Sequence, residues 1–112
     1  MKIETKESQG IQIIAFEGNL DTNTSPEAES VINELIDAGK QKILVNFEQL
    51  SFISSAGLKA LLSALMKVRK MIPPGDVVIS EIKPELRESF DLVGFDRLFK
   101  FYDDNLHAVG SF

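Results

Sequence analysis

Residues 50–58 of the chain read Leu50-Ser51-Phe52-Ile53-Ser54-Ser55-Ala56-Gly57-Leu58. They follow Lys42–Phe47, whose continuous apolar run is typical of a strand covered on both faces. The apolar residues after them recur at helical spacing, i, i+3, i+4, i+7 and i+8. We expect these positions to form the apolar face of a helix: Leu58, Leu61, Leu62, Leu65 and Met66. Two serines are therefore predicted at the N-terminus of a helix.

Ser54 and Ser55 then occupy a position where a hydroxyl can do one of two things. It can cap backbone N–H groups that have no partner inside the helix. It can also accept a phosphate, because the helix dipole and the same N–H groups favour negative charge. Capping is the commoner role, and the local pattern leaves both roles open.

The rest of the chain alternates strands and helices. Pro26 follows Ser25, which we expect to be the N-cap of the first helix. The third helix should face the core with Leu86, Phe90 and Val93. The predicted strands are Lys2–Glu7, Ile11–Glu17, Lys42–Phe47, Asp76–Ser80 and a short one near Leu98–Phe101, and the predicted helices are Pro26–Ala38, Ala56–Met71, Pro84–Val93 and a terminal turn at Asp104–Val109.

This order of elements predicts the fold class. Repeated strand–helix–strand units require crossover connections and hence a mostly parallel sheet. We expect one α/β domain over residues 1–112, with four to five strands, an antiparallel strand at the N-terminal edge and about four helices.

Composition and charge narrow the class of protein further. The chain has no cysteine, no signal-like N-terminus and no apolar run near the roughly 20 residues that span a bilayer, so we expect a cytoplasmic protein without a membrane partner. A net charge of −5 argues against a nucleic-acid partner. The helix after Gly57 nevertheless carries Lys59, Lys67, Arg69 and Lys70 and no acid. We interpret this as a solvated helix face, and a protein-binding face is the alternative.

Enzyme signatures are missing from the sequence. His107 is the single histidine and is far in sequence from Ser55, and no glycine precedes Ser54 as a nucleophile elbow would require. No phosphate-binding or dinucleotide-binding glycine pattern occurs either. The acids Asp103 and Asp104 are interpreted as part of a solvated tail. We therefore predict a protein that is not an enzyme, with no cofactor and no metal site.

A second polar loop, residues 18–25, follows the second predicted strand. The loops after adjacent parallel strands lie at the same edge of a sheet, so Asp21 and Ser55 can be neighbours although they are far apart in sequence. A carboxylate there could orient a serine hydroxyl or repel a phosphate. The alternative for Asp21 is an ordinary turn or cap before the first helix.

Together these segments resemble the STAS domain and, within it, the bacterial anti-sigma factor antagonists. In that family the pattern runs aromatic, any residue, acidic or serine, serine, small, glycine, leucine, which matches Phe52 to Leu58. The resemblance implies that Ser55 is the phosphate acceptor, with Ser54 as the second choice. The Gly-x-Leu-Asp segment of the family matches residues 18–21. The implied partner-binding loop comprises Asn19, Asp21, Thr22, Ser54, Ala56 and Gly57.

The resemblance also implies a function. The unphosphorylated protein would bind an anti-sigma factor of the serine-kinase type and so release a sigma factor, and a serine phosphatase is a further implied partner. Many family members have aspartate before the acceptor, whereas this chain has Ser54. That departure keeps two alternatives open: a STAS scaffold that docks on a transporter or signalling protein without phosphorylation, and a STAS domain that binds a small ligand or nucleotide at the helix N-terminus.

Overall fold

A six-stranded mixed sheet runs through the protein, and four α-helices pack on it. The computed structural model describes every residue, Met1–Phe112. In chain order the elements are β1 (Lys2–Ser8), β2 (Ile11–Leu20), α1 (Ser25–Asp37), β3 (Lys42–Asn46), β4 (Leu50–Ile53), α2 (Ser55–Arg69), β5 (Asp76–Ser80), α3 (Pro84–Leu92), a 3₁₀ turn (Phe95–Arg97), β6 (Lys100–Tyr102) and α4 (Asn105–Gly110).

The strands lie in the order β1-β2-β3-β5-β6, and β4 pairs with β2 outside this path. β1 and β2 are antiparallel, and every other pairing is parallel. β3 and β5 are direct parallel neighbours, with Lys42 opposite Asp76. The predicted α/β fold, its mostly parallel sheet and its antiparallel first strand are therefore confirmed.

The prediction of four to five strands was too low because it treated β4 as loop. β4 is only four residues long and lacks the strict alternation of buried and exposed residues that signals a strand. Leu50 and Ile53 are buried, whereas Ser51 and Phe52 between them are both exposed. It forms because β2 continues past its predicted end at Glu17 and offers backbone groups to pair with. The register shifts between Gly18 and Asn19, and the pairing ends with Leu20 opposite Ile53.

The two faces of the sheet are covered unequally. Helices α1, α2 and α3 pack on one face around a core of 20 buried residues, which includes Ile43 and Val45 of β3. The alternate residue Leu44 points to the other face and joins a cluster of five with Ala108 of α4. The short α4 covers only part of that second face, so the region above Ala15 stays open to solvent.

Two residues predicted to face the core lie largely in solvent. Met66 of α2 is 51% exposed and Val93, just after α3, is 52% exposed. Met66 lies at the edge of the apolar face of α2, and Val93 lies where α3 has already ended. None of the helices combines the length and the apolar character needed to cross a lipid bilayer.

Two helix caps also differ from the prediction. Thr24, not Ser25, is the N-cap position of α1, and Ser25 is a buried first residue whose hydroxyl donates to the Asp21 carbonyl at 2.5 Å. Asp104 is not a solvated tail residue, because its carboxylate caps α4 by accepting the backbone N–H of His107 at 2.8 Å. This hydrogen bond, with the nearby His107 ring, lowers the pKa of Asp104.

Gly57 fixes how closely α2 approaches the end of β2, and this generates the first prediction. A Cβ at Gly57 would lie 2.8 Å from both the carbonyl oxygen and Cγ of Leu20 and 2.9 Å from Cγ1 of Ile53. Gly57→Ala should therefore lower the free energy of unfolding by about 1–3 kcal/mol through overpacking. Urea denaturation followed by circular dichroism measures this.

The matched control for that measurement is Gly110→Ala, since a Cβ at Gly110 would meet nothing within 4 Å. Its effect should stay within about 0.5 kcal/mol. Equal destabilisation by the two alanines would contradict the close approach of α2 to β2.

Candidate functional site

The two serines at the start of α2 have different environments. Ser54 is the N-cap residue, and its Oγ accepts the backbone N–H of Gly57 at 3.3 Å. Ser55 is the first helical residue, and its side chain is exposed and takes part in none of the side-chain hydrogen bonds. Both serines therefore lie at the predicted helix N-terminus, and only the hydroxyl of Ser55 is left free.

The loop after β2 is held by a turn around Asp21. The Asp21 Oδ1 atom accepts the backbone N–H groups of Asn23 at 2.9 Å and Thr24 at 3.1 Å. Thr24 closes the loop, since its hydroxyl donates to the carbonyl of Asn19 at 2.7 Å. Asp21 thus forms the turn that the sequence analysis gave as one of two alternatives for it. Its other carboxylate oxygen, Oδ2, takes no part in this turn.

The strand pairing brings this loop against the serines. The backbone N–H of Ser54 donates to the carbonyl of Leu20 at 2.9 Å, one residue before Asp21. Asn19, Thr22 and Ser55 are exposed at this same edge of the sheet. Ala56 is half-buried and Gly57 is buried against β2, so those two residues shape the site more than they offer contacts.

The lone histidine lies away from this edge. His107 belongs to α4, which packs against β3, β5 and β6 on the face opposite α2. Its Nδ1 lies 2.7 Å from the carboxylate of Asp104. The structure therefore brings neither His107 nor the Asp103–Asp104 pair to Ser55.

The structure contains a second polar cluster that the sequence analysis did not predict. The side-chain amide of Asn46 donates to Glu81 Oε2 at 2.6 Å and to Asn105 Oδ1 at 2.8 Å, and Ser80 donates to Asn105 at 2.6 Å. The cluster borders an open pocket of about 410 Å³ on the sheet face that α4 leaves uncovered. Its four members come from three separate segments of the chain, so no spacing in the sequence points to it.

The Glu81 carboxyl of this cluster has a shifted pKa. The pKa of Glu81 is raised from its ordinary value near 4.5, first because the Glu48 carboxyl is placed to share a proton with it and then because of partial burial. A pKa raised in the folded state means that the native protein binds this proton more tightly than the unfolded chain. Stability contributed by this group is therefore lost as pH rises from about 4.5 through the native pKa.

Glu48→Gln should remove the like charge and return the pKa of Glu81 towards its ordinary value. The fall of stability with pH across that window should then be smaller than in the wild type. Carboxyl ¹³C NMR titration follows the pKa, and denaturation at several pH values follows the stability. Glu29→Gln on the exposed face of α1 is the control, and an unchanged Glu81 titration in Glu48→Gln would refute the proton sharing.

The different roles of the two serines predict unequal effects of their alanine variants on stability. Ser54→Ala should lower the free energy of unfolding by about 1 kcal/mol through loss of the cap, whereas Ser54→Asp should keep it. Ser55→Ala should change stability by less than about 0.5 kcal/mol because its hydroxyl has no partner. Equal losses in the two alanine variants, measured by urea denaturation, would show that Ser55 also caps the helix.

Comparison with known proteins agrees with this architecture. The family model described as the STAS domain matches residues 2–107. A Bordetella bronchiseptica protein, BtrV, is 27% identical over 112 residues, which make up 100% of this chain and 95% of BtrV. Its name describes BtrV, provisionally, as an anti-sigma factor antagonist.

Solved structures share the fold. A Thermotoga maritima protein, provisionally described as an anti-sigma factor antagonist, superposes with a TM-score of 0.90 at 18% identity, over 97% of this chain and 92% of the other. The anti-sigma factor antagonist SpoIIAA, in its unphosphorylated form, gives 0.75 at 20% identity over 98% and 96%. Bacillus SpoIIAA has also been solved in a phosphorylated form, again with a TM-score of 0.75. From the family match over nearly its whole length, this chain belongs to the STAS domain family.

Proposed function

We propose that this protein is an anti-sigma factor antagonist whose partner binding is switched off by phosphorylation of Ser55. The observation that carries the proposal is the exposed, unbonded hydroxyl of Ser55 beside a Ser54 that already caps the helix. A kinase can reach this hydroxyl without breaking a hydrogen bond of the fold. The description of BtrV and the phosphorylated structure of SpoIIAA support the same function by similarity.

A phosphate at this point suits the fold. It would add about −1.5 to −2 charges next to the first-turn N–H groups of α2, where the helix dipole favours an anion. The cap on Gly57 would stay in place because it belongs to Ser54. Phosphorylation should therefore alter the binding surface while the domain remains folded.

The serine at position 54 is compatible with this role. Serine and aspartate are N-caps of similar strength, so replacing the common acid of the family retains the start of the helix. The replacement also removes a negative charge beside the acceptor, which lowers the repulsion that a phosphate on Ser55 would meet. The departure from the family pattern thus changes the charge of the site and leaves its geometry alone.

The partner would be an anti-sigma factor of the serine-kinase type, and the protein would act as its substrate rather than as a catalyst. In the unphosphorylated state it would bind that factor and free the sigma factor. Asn19, Thr22 and the Oδ2 atom of Asp21 would contact the partner together with the start of α2. A serine phosphatase would restore the binding form.

Phosphorylation gives the first test of this function. Incubated with its serine-kinase partner and ATP, the wild-type protein should gain one phosphoryl group, and Ser55→Ala should gain none. Ser54→Ala should still be phosphorylated, because the acceptor hydroxyl is unchanged. Intact-mass spectrometry measures all three, and phosphorylation that moves to Ser54 or persists in Ser55→Ala would refute the assignment.

Binding gives the second test. Ser55→Asp places a charge at the acceptor and should weaken partner affinity tenfold or more, which corresponds to about 1.4 kcal/mol. Ser111→Asp adds the same charge at the exposed C-terminus and should have no effect. Full affinity of both Ser55→Asp and the phosphorylated protein, measured by calorimetry, would instead support the scaffold without a phosphorylation switch.

A further inference from the structure

One line of residues on α2 continues from Ser55 along the solvent face of the helix. Ser55, Lys59, Leu62, Met66 and Lys70 follow one another at intervals of three or four residues, so their side chains lie in a row. The row spans about 22 Å at 1.5 Å per residue. We call the surface after Ser55 the cationic stripe, and it lines a shallow groove of about 390 Å³ formed by Lys59, Leu62, Ser63, Met66, Lys67 and Lys70.

The charges of the stripe are not neutralised within the molecule. None of the salt bridges of the protein involves Lys59, Lys67 or Lys70. The Lys67 ammonium instead donates to the amide oxygen of Asn33 on α1 at 2.9 Å, although α1 also carries four exposed acids. By contrast, Arg69 of the same helix lies 3.6 Å from the carboxylate of Asp76. The free cations thus lie together on one side of α2.

The helix dipole explains only part of this arrangement. Cations are favoured in the last turn of a helix, where Lys67 lies. Lys59 lies in the second turn, close to the end where the dipole favours anions instead. The dipole of α2 therefore does not account for a cation at Lys59.

Apolar surface is exposed between the cations. Met66 is 51% exposed and Leu62 is half-buried, although the helical pattern predicted both in the apolar face. Methionine adapts its shape to a partner, and lysine stems can cover apolar surface while their charges stay in water. The stripe therefore has an apolar centre with cationic ends.

We propose that the cationic stripe is the docking surface for an acidic amphipathic segment of the partner protein, and that a phosphate on Ser55 competes with that segment for Lys59. The inference rests on the proposed function and names the chemistry of its partner. Charge complementarity identifies the occupant: three lysines without a carboxylate partner, on a protein of net charge −5, attract carboxylates. Leu62 and Met66 would receive the apolar residues of the segment.

The spacing of Ser55 and Lys59 couples the stripe to the switch. Residues four apart on a helix have Cβ atoms about 5–6 Å from each other, so a phosphate on Ser55 reaches the Lys59 ammonium. The phosphate then opposes binding in two ways. It repels the acidic segment, and it occupies the first cation that the segment needs.

The ion pair can be tested without any partner, in full-length protein carrying phosphoserine at position 55 introduced by amber suppression. Titration by ³¹P NMR gives the second pKa of the phosphate, which is ordinarily about 6. Lys59→Gln should raise this pKa by about 0.3 units, the effect of an exposed helical ion pair. The matched control is Lys42→Gln at the start of β3, and equal pKa values in the two variants would refute the contact.

Docking is tested with the full-length anti-sigma factor kinase that phosphorylates Ser55. Lys59→Glu and Lys70→Glu should each weaken its affinity tenfold or more, whereas the control Lys42→Glu should not. Raising the salt concentration should weaken the binding of the wild type more than the binding of either stripe variant. Met66→Ser should also weaken binding. Urea denaturation checks that the variants remain folded.

The results separate this inference from the proposed function. If Ser55→Asp abolishes binding while the stripe variants bind like Lys42→Glu, the switch stands and the docking surface is refuted. If the stripe variants lose binding while Ser55→Asp and the phosphorylated protein both keep it, the docking surface stands and the switch is refuted. If neither set matters, both are refuted.

Discussion

The parallel pairing between the end of β2 and β4 holds the functional edge of this protein together. A single backbone hydrogen bond of 2.9 Å joins Ser54 to Leu20, and Gly57 approaches the same leucine so closely that no side chain would fit between them. The start of α2 and the loop of Asp21 are therefore fixed to each other through backbone. Because these contacts involve backbone, the side chains of Asn19, Thr22 and Ser55 stay exposed at the same edge.

Adjacent serines with unequal roles follow from this anchoring. The backbone of Ser54 is extended and its hydroxyl turns back to cap Gly57, so the next residue begins the helix with its hydroxyl in water. The structural role thus belongs to Ser54, and the proposed switching role belongs to its neighbour Ser55. A modification of Ser55 can change the charge of the surface while the cap that starts α2 is retained.

The exposed side chains of the first two helices carry charges of opposite sign. The exposed acids of α1 include Glu27, Glu29 and Glu34, whereas α2 has lysines and no acid, and the helices are joined across their surface by the bond between Lys67 and Asn33. On the opposite face, Glu81 and Glu48 share an open polar pocket beside α4. An acidic protein thereby offers one cationic surface, and that surface begins one turn after Ser55.

The sequence by itself determined the elements whose periodicity is long enough to read: α1, α2 and the parallel neighbours β3 and β5 were predicted within about two residues of their observed ends. The pattern of residues 50–58 likewise predicted Ser54 and Ser55 at the start of a helix. Only the tertiary structure decided that residues 50–53 form a strand, since so short a segment becomes one when β2 supplies its hydrogen-bonding partners. The tertiary structure also decided the exposure of Met66 and the raised pKa of Glu81. Both properties depend on which distant segments pack nearby, and the local spacing of residues carries no information about that.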